Sequence, residues 1–215
     1  GELLLFLNND TEFLQPDGLD RMAQWFDREK VAIVGAKLLY PGERIQHAGV
    51  IVGMGGLASH LFLNEREEIR TIFGFDVCYR NLSAVTGACL MIARAVFEEL
   101  GGFDEEFQLN YSDVDLCLRA RQLEYRVVYT PDARLLHHES ATHKRRIPRS
   151  DFELASKKWQ DWLRRGDPFF NENLSYRNSM PSFRGNRKEC SQLVNIELMK
   201  RIPQKDILLL PDDLA

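Results

Sequence analysis

The sequence predicts an α/β fold, in which helices flank a mixed or parallel sheet. The residues of Leu3–Leu7 are all apolar, which is typical of a strand buried on both faces in the middle of a sheet. A helical pattern over Gln15–Lys30 and an apolar strand pattern over Val31–Leu39 follow it. This strand–helix–strand order is characteristic of α/β proteins.

Polar residues follow the first predicted strand directly. Asn8 and Asp10 stand at its carboxyl end, the edge at which open α/β sheets bind their ligands. A carboxylate there suits a hard cation, and an amide suits a sugar hydroxyl. The same residue types also favour an ordinary turn, and the residues alone leave both interpretations open.

A second helix–strand region lies in the middle of the chain. The sequence predicts a strand over Ile45–Gly53 and, after an apolar run over Cys89–Ala93, a short helix over Ala95–Leu100. Small residues, Thr86 and Gly87 among them, precede this apolar run. A glycine at that position lets the backbone come close to a neighbouring strand or to a ligand.

Two acids begin the next predicted helix, which starts near Ser112. Ser112 is a suitable N-cap with Asp115 three residues later, and Asp113 suits the positive end of the helix dipole. These roles explain both acids without catalysis. Asp113 would also project outward from a helix N-terminus, where a carboxylate can act as a base.

Two short strands are expected next, Tyr125–Tyr129 and Ala133–His138, separated by a turn at Pro131. The second ends in adjacent histidines, which are candidate ligands for a metal ion. Strand alternation places His137 and His138 on opposite faces, so we expect at most one of them at a given site. Ordinary surface histidines remain the alternative.

Composition limits the classes of function. The 215 residues are 44% hydrophobic and 28% charged, with a net charge of −4, which argues against nucleic-acid binding. The sequence has no apolar run of the roughly 18 residues that a membrane span needs. Its four cysteines show no metal or redox spacing. We therefore expect a cytoplasmic protein that reaches, at most, a peripheral position on the inner face of the membrane.

Several motifs together resemble the family 2 glycosyltransferases of the GT-A fold, in particular bacterial rhamnosyltransferase-like members. The matching stretches, in order, are LNND, TGACLMIARAVFEELGGFDEEF and YSDVDLCLRARQLEYRVVYTPDARLLHHES. A later stretch, DPFFNENLS, is similar to the C-terminal extension of some of these enzymes. The likeness implies a GT-A domain portion over residues 1–145 and a helical and irregular extension over 146–215.

The resemblance assigns roles to particular residues. Asp10 matches the family's metal-binding acid, which implies Mn²⁺ or Mg²⁺ between the donor's phosphates, with Asn8 near the sugar or ribose. His137 matches the late histidine that completes the metal site, and Asp113 matches the general base of inverting members. The remaining matched positions are expected to border or support the donor and acceptor site, and they are Thr86, Gly87, Asp115 and Arg119.

The resemblance also has gaps. Ser112 stands where the family usually has an acid, and the family's first half, about 80 to 100 residues, has no counterpart here. We therefore expect an N-terminally truncated chain, whose activity in isolation stays open. Strands that lack their neighbours have exposed edges, so we also expect a homo-oligomer.

The implied function is transfer of a sugar from a nucleotide-diphosphate sugar to a hydroxyl of a glycan or lipid-linked acceptor. An alternative is a non-catalytic, oligomeric module that binds a saccharide or a protein. Binding of a metal ion and a nucleotide diphosphate distinguishes the two. A metal-dependent nucleotidyltransferase would need a glycine-rich, basic phosphate loop early in the chain, and the sequence has none.

Overall fold

A computed structural model describes residues 1–68, 74, 76–138, 146–184 and 207–209. The described residues contain eleven strands: β1 (Leu3–Leu7), β2 (Thr11–Phe13), β3 (Val31–Tyr40), β4 (Arg44–His47), β5 (Val50–Val52), β6 (Ala58–His60), β7 (Arg80–Leu82), β8 (Cys89–Ala93), β9 (Arg126–His137), β10 (Arg146–Pro148) and β11 (Ile207–Leu209). The helices are α1 (Gly18–Ala23), α2 (Arg94–Glu99), α3 (Ser112–Gln122), α4 (Arg149–Lys158) and α5 (Gln160–Arg165).

The described part of the chain forms a seven-stranded mixed sheet in the order β1-β8-β3-β9-β2, with β4 joined to β3 and β7 joined to β9. Strand β3 runs parallel to β9 and antiparallel to β8. Every residue of β3 except Tyr40 is buried, which explains why the strand is apolar apart from Lys37, whose ammonium pairs with Glu67 and Asp76. The predicted α/β class is confirmed.

Strand β1 has the predicted bounds but not the predicted central position. Within the described residues it pairs only with β8 and lies at the edge of the sheet, and its residues are half-buried or exposed. Leu3 and Leu5 pack on one core, and Leu4 and Phe6 pack on the other. Contact with apolar layers on both sides explains why the strand lacks polar alternation.

Other predicted elements differ in their boundaries. The expected turn at Pro131 is absent, because β9 continues through it with a register shift opposite Ala36 and Lys37. Ser112 is not the N-cap of α3: Tyr111 occupies that position with a φ of 73°, and no side chain caps the helix. The predicted pairing of Ser112 with Asp115 is therefore wrong.

Three longer predicted elements are shorter or divided. The helix expected over Gln15–Lys30 is α1 followed by a 3₁₀ turn at Gln24–Asp27. The strand expected over Ile45–Gly53 divides into β4 and β5, around Gly49 with its φ of 107°. The apolar pattern of Asp151–Arg165 predicts one amphipathic helix, whereas the structure has two, α4 and α5. The residues Gln192–Arg201 also have a helical pattern, but they lie outside the described residues.

Two hydrophobic clusters cover the two faces of the sheet. The larger one includes side chains of the C-terminal helices, among them Phe152, Trp159 and Leu163, packed with Leu116 of α3. The described helices after residue 145 therefore share a core with the preceding sheet. None of the described helices is both long and apolar enough to cross a membrane.

Candidate active site

Three predicted site residues meet at one end of the sheet. Asn8 and Asp10 lie between β1 and β2, and β2 pairs with the end of β9 so that Thr11 stands opposite His137. This pairing brings His137 Nε2 to 3.0 Å from Asp10 Oδ1 and to 3.3 Å from Asn8 Nδ2. Side chains that are more than 120 residues apart in sequence thus form one cluster, hereafter the Asp10–His137 cluster.

Gln46 fixes the orientation of the histidine. Gln46 Oε1 lies 2.6 Å from His137 Nδ1, and both side chains are buried. Because an amide oxygen can only accept a hydrogen bond, Nδ1 donates to Gln46, and Nε2 is the ring nitrogen that faces Asn8 and Asp10. A hydrogen-bonded second nitrogen of this kind is typical of metal-binding histidines. Sequence reasoning did not identify Gln46, because an isolated glutamine in a strand gives no signal.

The geometry of the cluster suits a divalent cation whose remaining coordination positions are filled by a bound ligand. A carboxylate oxygen and an imidazole nitrogen 3.0 Å apart match the spacing of adjacent ligands on an ion with bonds of about 2.1 Å. Among the described residues no group of three His, Cys, Asp or Glu side chains forms a complete metal site.

His138 has a different environment from His137. Its side chain is about half exposed, and its Nε2 lies 3.8 Å from Glu12 Oε2. Its backbone N–H donates to the carbonyl of Asp10 at 2.9 Å. The structure thus places His137 in the cluster and turns His138 toward solvent, as strand alternation requires.

Asp113 lies in the first turn of α3 and contacts the segment before β8. Its Oδ2 accepts a hydrogen bond from the backbone N–H of Gly87 at 2.7 Å, and its Oδ1 accepts one from Val114 N–H at 2.8 Å. A Cβ on Gly87 would lie 3.2 Å from Asp113 Cβ. The glycine therefore permits this close approach, and the carboxylate is held by backbone donors while remaining partly exposed.

The segment from Thr86 to Ala88 joins the two parts of the site. Gly87 N–H binds Asp113, and the carbonyl of Ala88 accepts a hydrogen bond from Asn8 N–H at 3.0 Å. Thr86 is buried, and its Oγ1 accepts a long hydrogen bond of 3.3 Å from Ala88 N–H. Thr86 and Gly87 thus connect Asp113 to the end of β1.

Asp115 and Arg119 form an ion pair, and each also forms hydrogen bonds to other segments of the protein. Arg119 Nε donates to Asp115 Oδ2 at 2.7 Å, and its two terminal nitrogens donate to the carbonyls of Leu100 and Gly102 at 2.6 and 2.8 Å. Asp115 Oδ1 accepts from Trp159 Nε1 at 3.2 Å. This pair ties α3 to the turn after α2 and to α4, which supports the position of Asp113.

A buried carboxylate from the C-terminal part orders the loop before α3. Asp151, fully buried, accepts hydrogen bonds from the backbone N–H groups of Gln108, Leu109 and Asn110 at 2.8 to 2.9 Å. The same loop leads through Tyr111 to Asp113. Sequence reasoning missed this role, because an acid in the first turn of a helix is common for electrostatic reasons alone.

Asp167 is a second buried acid near the core. Its carboxylate accepts hydrogen bonds from Val52 N–H, Phe169 N–H and Ser83 Oγ at 2.8 to 2.9 Å. Burial raises its pKa to about 6, and these hydrogen bonds oppose the rise. It connects the end of α5 to β5 and is separate from the candidate active site.

Comparison with known proteins identifies relatives along most of the chain. The O-antigen biosynthesis protein RfbC of Myxococcus xanthus is 44% identical over 206 residues, which cover 94% of this chain and 16% of that protein. The uncharacterized protein y4gI of Sinorhizobium fredii (strain NBRC 101917 / NGR234) is 41% identical over 185 residues, or 81% of this chain and 20% of that protein. The chain thus spans a fifth or less of the length of these two relatives. No protein-family model matches the chain.

A shorter sequence match and a structural match also support the resemblance to glycosyltransferases. The N-acetylglucosaminyl-diphospho-decaprenol L-rhamnosyltransferase of Mycobacterium tuberculosis is 30% identical over 92 residues, or 40% of this chain and 30% of that enzyme. The crystal structure of GalNAc-T7 with UDP, GalNAc and Mn²⁺ superposes with a TM-score of 0.55 at 13% identity, covering 76% of this chain and 32% of that one. The resemblance to glycosyltransferases of the GT-A fold is therefore confirmed.

Proposed function

We propose that this chain carries the metal- and acceptor-facing part of a glycosyltransferase that acts in polysaccharide biosynthesis. The proposed reaction moves a sugar from a nucleotide-diphosphate sugar to a hydroxyl of a glycan or lipid-linked acceptor. The observation that carries the proposal is the convergence of Asn8, Asp10 and His137 at the end of the sheet. The relatives named for O-antigen biosynthesis and for rhamnosyl transfer support it.

Asp10 and His137 would hold Mn²⁺ or Mg²⁺. When bound, such an ion neutralises negative charge on the departing diphosphate. Gln46, which holds Nδ1 of His137, would leave Nε2 available to the ion, and Asn8 would offer its amide to a sugar or ribose hydroxyl. The solved GalNAc-T7 structure, which contains Mn²⁺ and UDP, is consistent with this assignment.

Asp113 is the proposed general base of an inverting reaction. Its carboxylate takes the proton of the acceptor hydroxyl while that oxygen forms a bond to the anomeric carbon. The bond from this carbon to the diphosphate breaks, and the diphosphate leaves with the electron pair. Attack and departure on opposite faces of the sugar require the base and the leaving-group site to lie on opposite sides of it, which fits their origin on different elements. Asp113 lies on α3, and the Asp10–His137 cluster lies at the end of β1 and β9.

The test is a transfer assay with the natural protein that contains this sequence. A panel of nucleotide sugars and acceptor glycans is incubated with Mn²⁺, and mass spectrometry detects the extended acceptor. Asp113→Asn should lower the transfer rate about 10²- to 10⁴-fold while UDP binding is retained. The exposed Asp161→Asn in α5 serves as the matched control.

Two results would contradict the proposal. One is transfer that proceeds equally well in Asp113→Asn and in the control. The other is saccharide binding without any affinity for Mn²⁺ and UDP, which would favour the non-catalytic module instead.

A further inference from the structure

A pocket lies at the opposite end of the sheet from the Asp10–His137 cluster. It has a volume of about 490 Å³ and is formed by the 3₁₀ turn Gln24–Asp27, the chain entering β7 and the start of β9. Strand β9 begins at this pocket with Arg126 and ends at His137, so the pocket and the cluster lie at opposite ends of a 12-residue strand. The pocket is therefore separate from the candidate active site.

Aromatic side chains form one wall of this pocket. The rings of Trp25 and Tyr79 lie 4.8 Å apart between centroids at an angle of 54°. Tyr79 is 62% exposed, whereas Trp25 is 7% exposed. The indole Nε1 of Trp25 is buried and has no hydrogen-bond partner among the described residues, so its donor remains unused within that part of the protein.

Arginines among the lining residues bring positive charge to the pocket. Arg126 donates to Asn81 Oδ1 at 3.0 Å and to the carbonyl of Glu29 at 3.3 Å, which fixes the direction of its guanidinium group. The guanidinium carbon of Arg28 lies 4.9 Å from the centroid of the Trp25 ring. Arg80 also lines the pocket, but it donates inward to the carbonyl of Ala48.

We propose that this pocket binds an acidic saccharide, which is a sugar ring bearing a single carboxylate. The exposed face of Tyr79 suits the C–H face of a sugar ring, and Asn81 suits its hydroxyls. Arg28, Arg80 and Arg126 outnumber Glu29 among the lining residues, so the lining carries a net positive charge that suits a carboxylate. This site does not depend on the proposed transferase reaction.

The test is a titration of the ¹⁵N-labelled chain with a tetrasaccharide of alternating glucuronate and N-acetylglucosamine. The neutral tetrasaccharide of N-acetylglucosamine is the matched ligand. The chain has three tryptophans, so the indole signal of Trp25 is read against those of Trp159 and Trp162. We expect the acidic ligand to shift the Trp25 signal alone, and the neutral ligand to bind several times more weakly.

Substitutions of two exposed lining residues complete the experiment. Tyr79→Ala and Arg28→Ala should each weaken binding about fivefold, and Arg164→Ala, an exposed arginine of α5, should not. Retention of the remaining amide spectrum shows that each variant is folded. An unshifted Trp25 signal, equal binding of the two tetrasaccharides, or binding unchanged in both pocket variants would overturn the proposal. Tighter binding of uridine monophosphate than of the acidic tetrasaccharide would also overturn it.

Discussion

Replacement of Asp151 by Asn should destabilise the protein by a predictable amount. Asp151 Oδ2 accepts hydrogen bonds from the N–H groups of Leu109 and Asn110, and Oδ1 accepts one from Gln108. Asparagine has one acceptor oxygen, so in either orientation of its amide at least one of these N–H groups faces an NH₂ group. Each unsatisfied buried donor costs about 1–3 kcal/mol. Loss of the buried charge offsets only part of this cost, because the three donors already stabilise it.

We therefore expect Asp151→Asn to lower the free energy of unfolding by about 2 kcal/mol. With a urea dependence of about 2 kcal/mol per molar, the unfolding midpoint falls by roughly 1 M. The assay is urea unfolding followed by tryptophan fluorescence. The control is Asp161→Asn, whose side chain is 71% exposed and whose midpoint should stay within about 0.3 M of the unsubstituted chain. Equal midpoints for the two variants would refute the role assigned to Asp151.

Three further predictions test other contacts. Gln46→Leu removes the hydrogen bond that orients His137, the proposed metal ligand, and it should weaken Mn²⁺ affinity about 10- to 100-fold in calorimetry, whereas Gln160→Leu on α5 should not. Gly87→Ala places a Cβ 3.2 Å from Asp113 Cβ and should lower the transfer rate at least tenfold, while the urea midpoint changes little. Asp167 has a pKa of about 6, above the roughly 3.9 of an unfolded chain, so the folded state binds more protons between these values and becomes less stable as pH rises through them. The stability difference between the unsubstituted chain and Asp167→Asn should therefore shift against Asp167 by about 2 kcal/mol from pH 4 to pH 7, as measured by urea unfolding.

Patterns within a few residues of each other were sufficient to predict much of the fold. The apolar runs Leu3–Leu7 and Cys89–Ala93 have the same bounds as β1 and β8, because the residues of a buried strand are mostly apolar. The position of β1 at the edge of the described sheet was not predictable, since it depends on which strands pair with it. The continuation of β9 through Pro131 likewise depends on its parallel pairing with β3.

The candidate site was also only partly predictable from local sequence patterns. Strand alternation was enough to separate His137 from His138, and the resemblance to a family supplied their possible role. Nothing local indicates that Gln46 would reach His137, or that Asp151 would hold a loop more than forty residues earlier. These contacts join distant segments, so they become visible only once the chain is folded.

The most direct test of the account is calorimetric titration of the chain with Mn²⁺ in the presence of UDP. Four variants form two matched pairs: Asp10→Asn with Glu12→Gln, and His137→Gln with His138→Gln. Loss of binding in Asp10→Asn and His137→Gln, with binding retained in their neighbours, is the predicted result. Absence of binding by the unsubstituted chain, or equal affinity across the four variants, would contradict the proposed metal–diphosphate site.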